Sequence, residues 1–95
     1  MICDFIKRRF PIDNNWCTGN CYWFAVILCN RFPDLTMWYF PIANHWMAGN
    51  KNGTIFYDWY GETLIDEIDE APMLWSDMKE FDSLLYERLV KECIL

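Results

Sequence analysis

Between Gly19-Asn20 and Pro33 the chain carries an unbroken apolar stretch, Cys21-Tyr22-Trp23-Phe24-Ala25-Val26-Ile27-Leu28-Cys29, and this run dictates what must form around it. A segment that is apolar on every side has to be covered on every side, so it becomes either a central helix or a buried strand. Asn20 is a good N-cap, because its side chain accepts a hydrogen bond from a first-turn amide. The run continues to Phe32, longer than most strands, and Pro33 stops it. These features predict a buried helix over residues 20–32. At about half of the roughly 18 residues that a membrane span requires, the run predicts no transmembrane helix.

Covering such a helix takes a large apolar complement, and the chain has one. Hydrophobic residues are 54% of its 95 residues and aromatics 19%. That excludes a disordered or low-complexity chain and leaves room for one core, hence one domain over 1–95. The net charge of −6 argues against nucleic acid, whose phosphates call for clustered Lys and Arg. All of that charge resides in segment 62–82, where eight acids meet the single base Lys79. Such a face is expected to be mostly solvated surface that keeps an aromatic-rich protein in solution. Lys7-Arg8-Arg9 follow the first apolar residues, opposite to the order of a secretory signal, and the five cysteines lack the spacing of a disulfide framework. A cytoplasmic chain with free thiols is expected.

Residues 10–19 read as a loop, since Phe10-Pro11-Ile12-Asp13-Asn14-Asn15 and Gly19 are rich in turn formers. Leu35-Thr36-Met37-Trp38-Tyr39-Phe40 reads as a strand ending at Pro41. His45-Trp46-Met47-Ala48-Gly49 and Thr54-Ile55-Phe56-Tyr57-Asp58-Trp59-Tyr60 flank Asn50-Lys51-Asn52-Gly53 and predict an antiparallel hairpin. Met78, Phe81, Leu85 and Leu89, with Leu74 and Val90 nearby, recur at helical spacing, with Ser76 as the cap. The expected fold is α+β: a buried helix packed on a small antiparallel sheet, with a C-terminal amphipathic helix over it.

Cys21 is the first residue of the buried helix, where unpaired amides and the positive end of the helix dipole favour a thiolate, the reactive form of cysteine. His45 is the only histidine, so an imidazole base must be this one. A turn centred on Lys51-Asn52 sets Asp58 opposite His45, and one centred on Asn52-Gly53 sets Asp58 opposite Met47. Both registers put His45 and Asp58 on one sheet face, whereas a three-residue loop with a glycine bulge separates them. Together the three residues supply a nucleophile, a base and an orienting carboxylate.

Gly19-Asn20-Cys21-Tyr22-Trp23-Phe24-Ala25 is similar to the segment around the nucleophile of papain-like cysteine peptidases. His45-Trp46, then Gly53, then Tyr57-Asp58-Trp59 resemble the histidine and acidic strands of the wider papain-like superfamily, which includes transglutaminase-like and NlpC-type domains. The resemblance spans about residues 15–60 and implies Cys21 as nucleophile, His45 as base and Asp58 as orienter. It also implies Asn15 as a side-chain amide for the oxyanion. The chain lacks the large second lobe of papain, which leaves the substrate class open.

Two readings of function follow. The first is a small papain-like cysteine hydrolase or acyl transferase, acting without a cofactor on an amide or thioester, with a protein or peptide as substrate. The second is a non-catalytic acidic interaction protein, of phage or mobile-element type, that binds a basic protein partner through segment 62–82. Cys17 and Cys21 with His45 and Asp58 also make up a set of zinc ligands, set aside here because the thiols lack knuckle spacing and Cys17 lies in a loop of unknown course.

Overall fold

A computed structural model describes residues 1–17, 20–77 and 83–89. It is α+β, as the sequence implies. Helix α1 (Ile2–Arg9) and helix α2 (Cys21–Arg31) precede strands β1 (Leu35–Phe40), β2 (His45–Asn50), β3 (Ile55–Asp58), β4 (Gly61–Leu64) and β5 (Met73–Leu74). Helix α3 (Ser83–Leu89) follows. The strands form one antiparallel sheet in the order β4-β3-β2-β1-β5. No helix among the described residues is long and apolar enough to cross a membrane.

Helix α2 is the centrepiece, with Phe24, Ala25 and Leu28 almost fully buried. Covering on every side is not what the structure provides, however, because Trp23 and Ile27 reach solvent at 45% and 39% exposure. A helix lying on one face of a sheet keeps an outer flank unless a further layer covers it. Asn20 is the N-cap, but its side chain turns to the preceding loop and donates from Nδ2 to the Asn14 carbonyl at 2.7 Å. The loop and the helix start are thereby tied together.

Helix α1 was not foreseen. It buries Phe5 and Ile6 and exposes Lys7, Arg8 and Arg9 in its last turn, where cations complement the helix dipole. Phe5, Ile6 and Phe10 pack against Phe24, Leu28, Leu35 and Ala48. Phe5 meets Phe32 edge-to-face at 5.3 Å, and Arg31 places its guanidinium 5.0 Å from the Phe32 ring. Trp59 locks the far end of this layer by donating from Nε1 to the Phe10 carbonyl at 2.8 Å.

The β2–β3 register pairs Ala48 with Tyr57 and Gly49 with Phe56, the arrangement that sets Asp58 nearest Met47. The connection is a four-residue loop, 51–54, rather than a two-residue turn. The Gly53 N–H bonds to the Asn50 carbonyl at 3.1 Å, and Gly53 itself takes φ +68°. Asn50 Oδ1 accepts the Thr54 and Ile55 N–H groups, so one side chain organises the whole loop. Within β2, Gly49 is obligatory for packing: a Cβ there would lie 2.6 Å from Phe56 and 2.9 Å from Trp38.

Beyond Asp58 the sequence expectation runs a single strand to Tyr60; the chain instead turns at Trp59-Tyr60 into β4, which pairs Asp58 with Gly61. Leu74, read as helical from its spacing, lies in β5 beside Trp38. The backbone is already helical at 75–77, so Ser76 sits inside a helical turn rather than capping one. Met78, Phe81 and Val90, like Cys93, lie outside the described residues. Trp75 and Tyr86 stack 4.7 Å apart and close over the cluster of Cys21, Ala25, Tyr39 and Trp46.

The acidic segment is not uniformly a solvated face. Asp66, Glu67 and Asp69 are exposed, but Glu70 is half-buried and its carboxylate accepts the Ile42 N–H at 2.9 Å and the Ala43 N–H at 3.1 Å. Tyr39 donates its hydroxyl to Asn44 Oδ1 in the same loop. Loop 41–44 is thus clamped from two sides immediately before His45.

Candidate active site

Three elements deliver the site. The N-terminus of α2 presents Cys21, the first residue of β2 is His45, and the last residue of β3 is Asp58. His45 Nε2 lies 3.4 Å from Asp58 Oδ2, and both side chains are only 16% exposed. The other carboxylate oxygen, Oδ1, accepts the Tyr60 N–H at 2.9 Å, so the tight turn after β3 fixes the orientation of Asp58. On its other side the imidazole acts on the sulfur of Cys21, favouring the thiolate.

The electrostatics follow from these contacts. Burial pushes the Cys21 thiol up, but the His45 hydrogen bond, the Trp46 N–H, the imidazolium charge and the Tyr22 N–H outweigh it. The net effect holds the thiol below its ordinary 9.0. Burial pulls His45 down, yet the hydrogen bonds and charges of Asp58 and Cys21 raise it to about 9. The two shifts work in the same sense: each favours the charged form, thiolate at Cys21 and imidazolium at His45. The contrast within the same molecule is sharp, since burial alone pushes the Cys29 thiol up to about 11. All four described cysteines, Cys3, Cys17, Cys21 and Cys29, are free thiols.

Asn15 stands on the exposed loop before α2 in a left-handed conformation, φ 58°, which asparagine tolerates better than most residues. Its carbonyl accepts the Asn20 N–H at 2.8 Å, linking it to the start of α2. Cys17 is the residue whose place the sequence did not reveal. Its sulfur, an imidazole nitrogen of His45 and a carboxylate oxygen of Asp58 all lie within 4.8 Å of one another. Burial and the Asp58 charge push its thiol up to about 11, against the opposing Trp59 N–H hydrogen bond. The only signal for it in the sequence is a thiol four residues before Cys21, which says nothing of where a loop runs.

No family model, curated protein or solved structure matches the chain.

Proposed function

We propose that this protein is a small cysteine hydrolase or acyl transferase of papain-like type, acting on an amide or thioester of a protein or peptide. The single observation that carries the reading is that His45 stands beside both Cys21 and Asp58, 3.4 Å from the carboxylate of the latter. Side chains from a helix start and two strand ends have few structural reasons to share a proton path, and a nucleophile, base and orienter need that arrangement.

In this mechanism the Cys21 thiolate attacks the carbonyl carbon, and the carbonyl π electrons move to oxygen. The oxyanion is stabilised by amides of the first turn of α2, with the Asn15 side chain as a further donor. The intermediate collapses, His45 gives its proton to the departing amine or thiol, and an acyl-Cys21 thioester remains. Water or an acceptor nucleophile then attacks that thioester. His45 takes the proton of the attacking group, and Cys21 leaves as thiolate. Asp58 holds the ring in place throughout and stabilises its charged form.

The test is acylation by p-nitrophenyl acetate, followed by mass spectrometry of the intact protein and its peptides. Acetyl on Cys21, with a burst of nitrophenol that His45→Ala abolishes, is the expected result. Acylation that is absent, or indifferent to His45, would discard the enzyme reading and favour the acidic interaction protein.

A further inference from the structure

We infer that Cys17, His45 and Asp58 form a binding site for a divalent transition-metal ion of the zinc class, and that its occupation switches Cys21 off. The second half rests on the hydrolase reading; the first does not. The three donor atoms come from a loop, β2 and β3 and fall within 4.8 Å of one another, all half-buried. Zinc–ligand bonds of about 2.0–2.3 Å place tetrahedral donors about 3.4–3.8 Å apart, so small side-chain rotations close the set. Thiolate, imidazole and carboxylate with a fourth position for water is a ligand set that zinc favours over magnesium or calcium.

Outer-shell support is already built. The turn after β3 holds one ligand, with the Tyr60 N–H on Asp58 Oδ1 at 2.9 Å, and the neighbouring Trp59 amide acts on the Cys17 thiol. Trp59 is itself anchored to the Phe10 carbonyl. Cys17 thus has neighbours suited to a ligand, while the proposed acyl-transfer steps give it no part.

The switch follows from the valence of the ring. With one ring nitrogen's electron pair on the metal, neutral His45 carries its one proton on the other and has no pair left to take a proton from Cys21. The metal also engages the Asp58 carboxylate that would stabilise an imidazolium. Base and orienter are removed together, with the nucleophile left in place.

Calorimetric titration of the reduced protein with ZnCl2 tests the site, and the absorption of the Co2+ complex supplies an independent signature of thiolate ligation. Saturable one-to-one binding is expected, weakened at least about tenfold by Cys17→Ser and by Asp58→Asn, and kept by Cys21→Ser. Circular dichroism of each variant verifies folding, and cobalt–thiolate absorption lost in Cys17→Ser but kept in Cys21→Ser supports the assignment. Binding that is absent, or that survives Cys17→Ser, overturns it. Zn2+ should also slow acylation of Cys21 in the wild type but not in Cys17→Ser; equal slowing in both overturns the switch. Zinc binding without His45-dependent acylation in chelator leaves the metal site standing and the hydrolase refuted, and the converse result does the reverse.

Discussion

Asp58 divides its carboxylate between two tasks: Oδ1 accepts the Tyr60 N–H at 2.9 Å, and Oδ2 faces His45 Nε2 at 3.4 Å. The first contact makes the second possible, because an oxygen pinned by its own turn cannot swing the other away from the ring. That contact is longer than the roughly 2.7–2.9 Å of a charge-assisted pair, as is common at catalytic hydrogen bonds before substrate tightens them.

His45 being the only histidine, its ring protons give one readable NMR titration. Wild type should titrate near 9, since the contacts of Asp58 and Cys21 overcome burial. Asp58→Asn should move the midpoint down toward the ordinary 6.5, and Cys21→Ser should move it in the same direction. A midpoint unchanged in both variants would mean that neither residue touches the ring in solution.

Thiol reactivity should separate by environment. Iodoacetamide near pH 7 is expected to label Cys21 at least about tenfold faster than Cys17 or Cys29, each pKa unit being a factor of ten in thiolate. Loss of the imidazole in His45→Ala removes the hydrogen bond and the charge that lower Cys21, so its advantage should largely vanish. Labelling rates from peptide mass spectrometry across about pH 5–8 decide this.

The same groups set how stability responds to pH. The raised value of His45 adds stability that is complete below about 6.5 and lost as pH rises through about 9. The lowered value of Cys21 works the other way: its contribution is full above the ordinary 9.0 and lost as pH falls through the folded value. Below about 9 the two trends oppose each other, so wild-type stability is expected to fall less steeply with pH than the His45 trend alone would give. Cys21→Ser keeps only the His45 trend, so its denaturation midpoint should decline steadily as pH rises above about 6.5. Parallel pH profiles for the two proteins would contradict the pairing.

Glu70 should behave unlike its acidic neighbours. Glu70→Ala removes the acceptor for the Ile42 and Ala43 amides and is expected to cost about 1–3 kcal/mol. Charge changes at exposed Asp66 or Asp69 should stay within about 0.5 kcal/mol. Urea midpoints measured side by side distinguish a clamp from a solvated charge.

Gly49→Ala is expected to destabilise the sheet by about 1–3 kcal/mol, because the new methyl would press on the Phe56 and Trp38 rings where two aromatics cross above bare backbone. Trp46→Ala, in the buried cluster beside Cys21, should cost about 3–5 kcal/mol. Thermal melts test both.

Local chemistry was legible in the linear chain. The central helix, the three strands from Leu35 onward and Cys21 at a helix start follow from breakers, periodicity and turn signals, whereas the shared face of His45 and Asp58 stays open in the sequence until the 51–54 loop is known. Such signals act over a few residues, so they reach no further. Helix α1, the turn at Trp59-Tyr60 into β4, and β5 beside β1 arise from contacts between distant segments. The same is true of Glu70 clamping loop 41–44. Cys17 shows the division most plainly: nothing near it in sequence points to His45, and only the fold, with Trp59 held on the Phe10 carbonyl beside the turn after β3, brings that thiol to the imidazole and carboxylate.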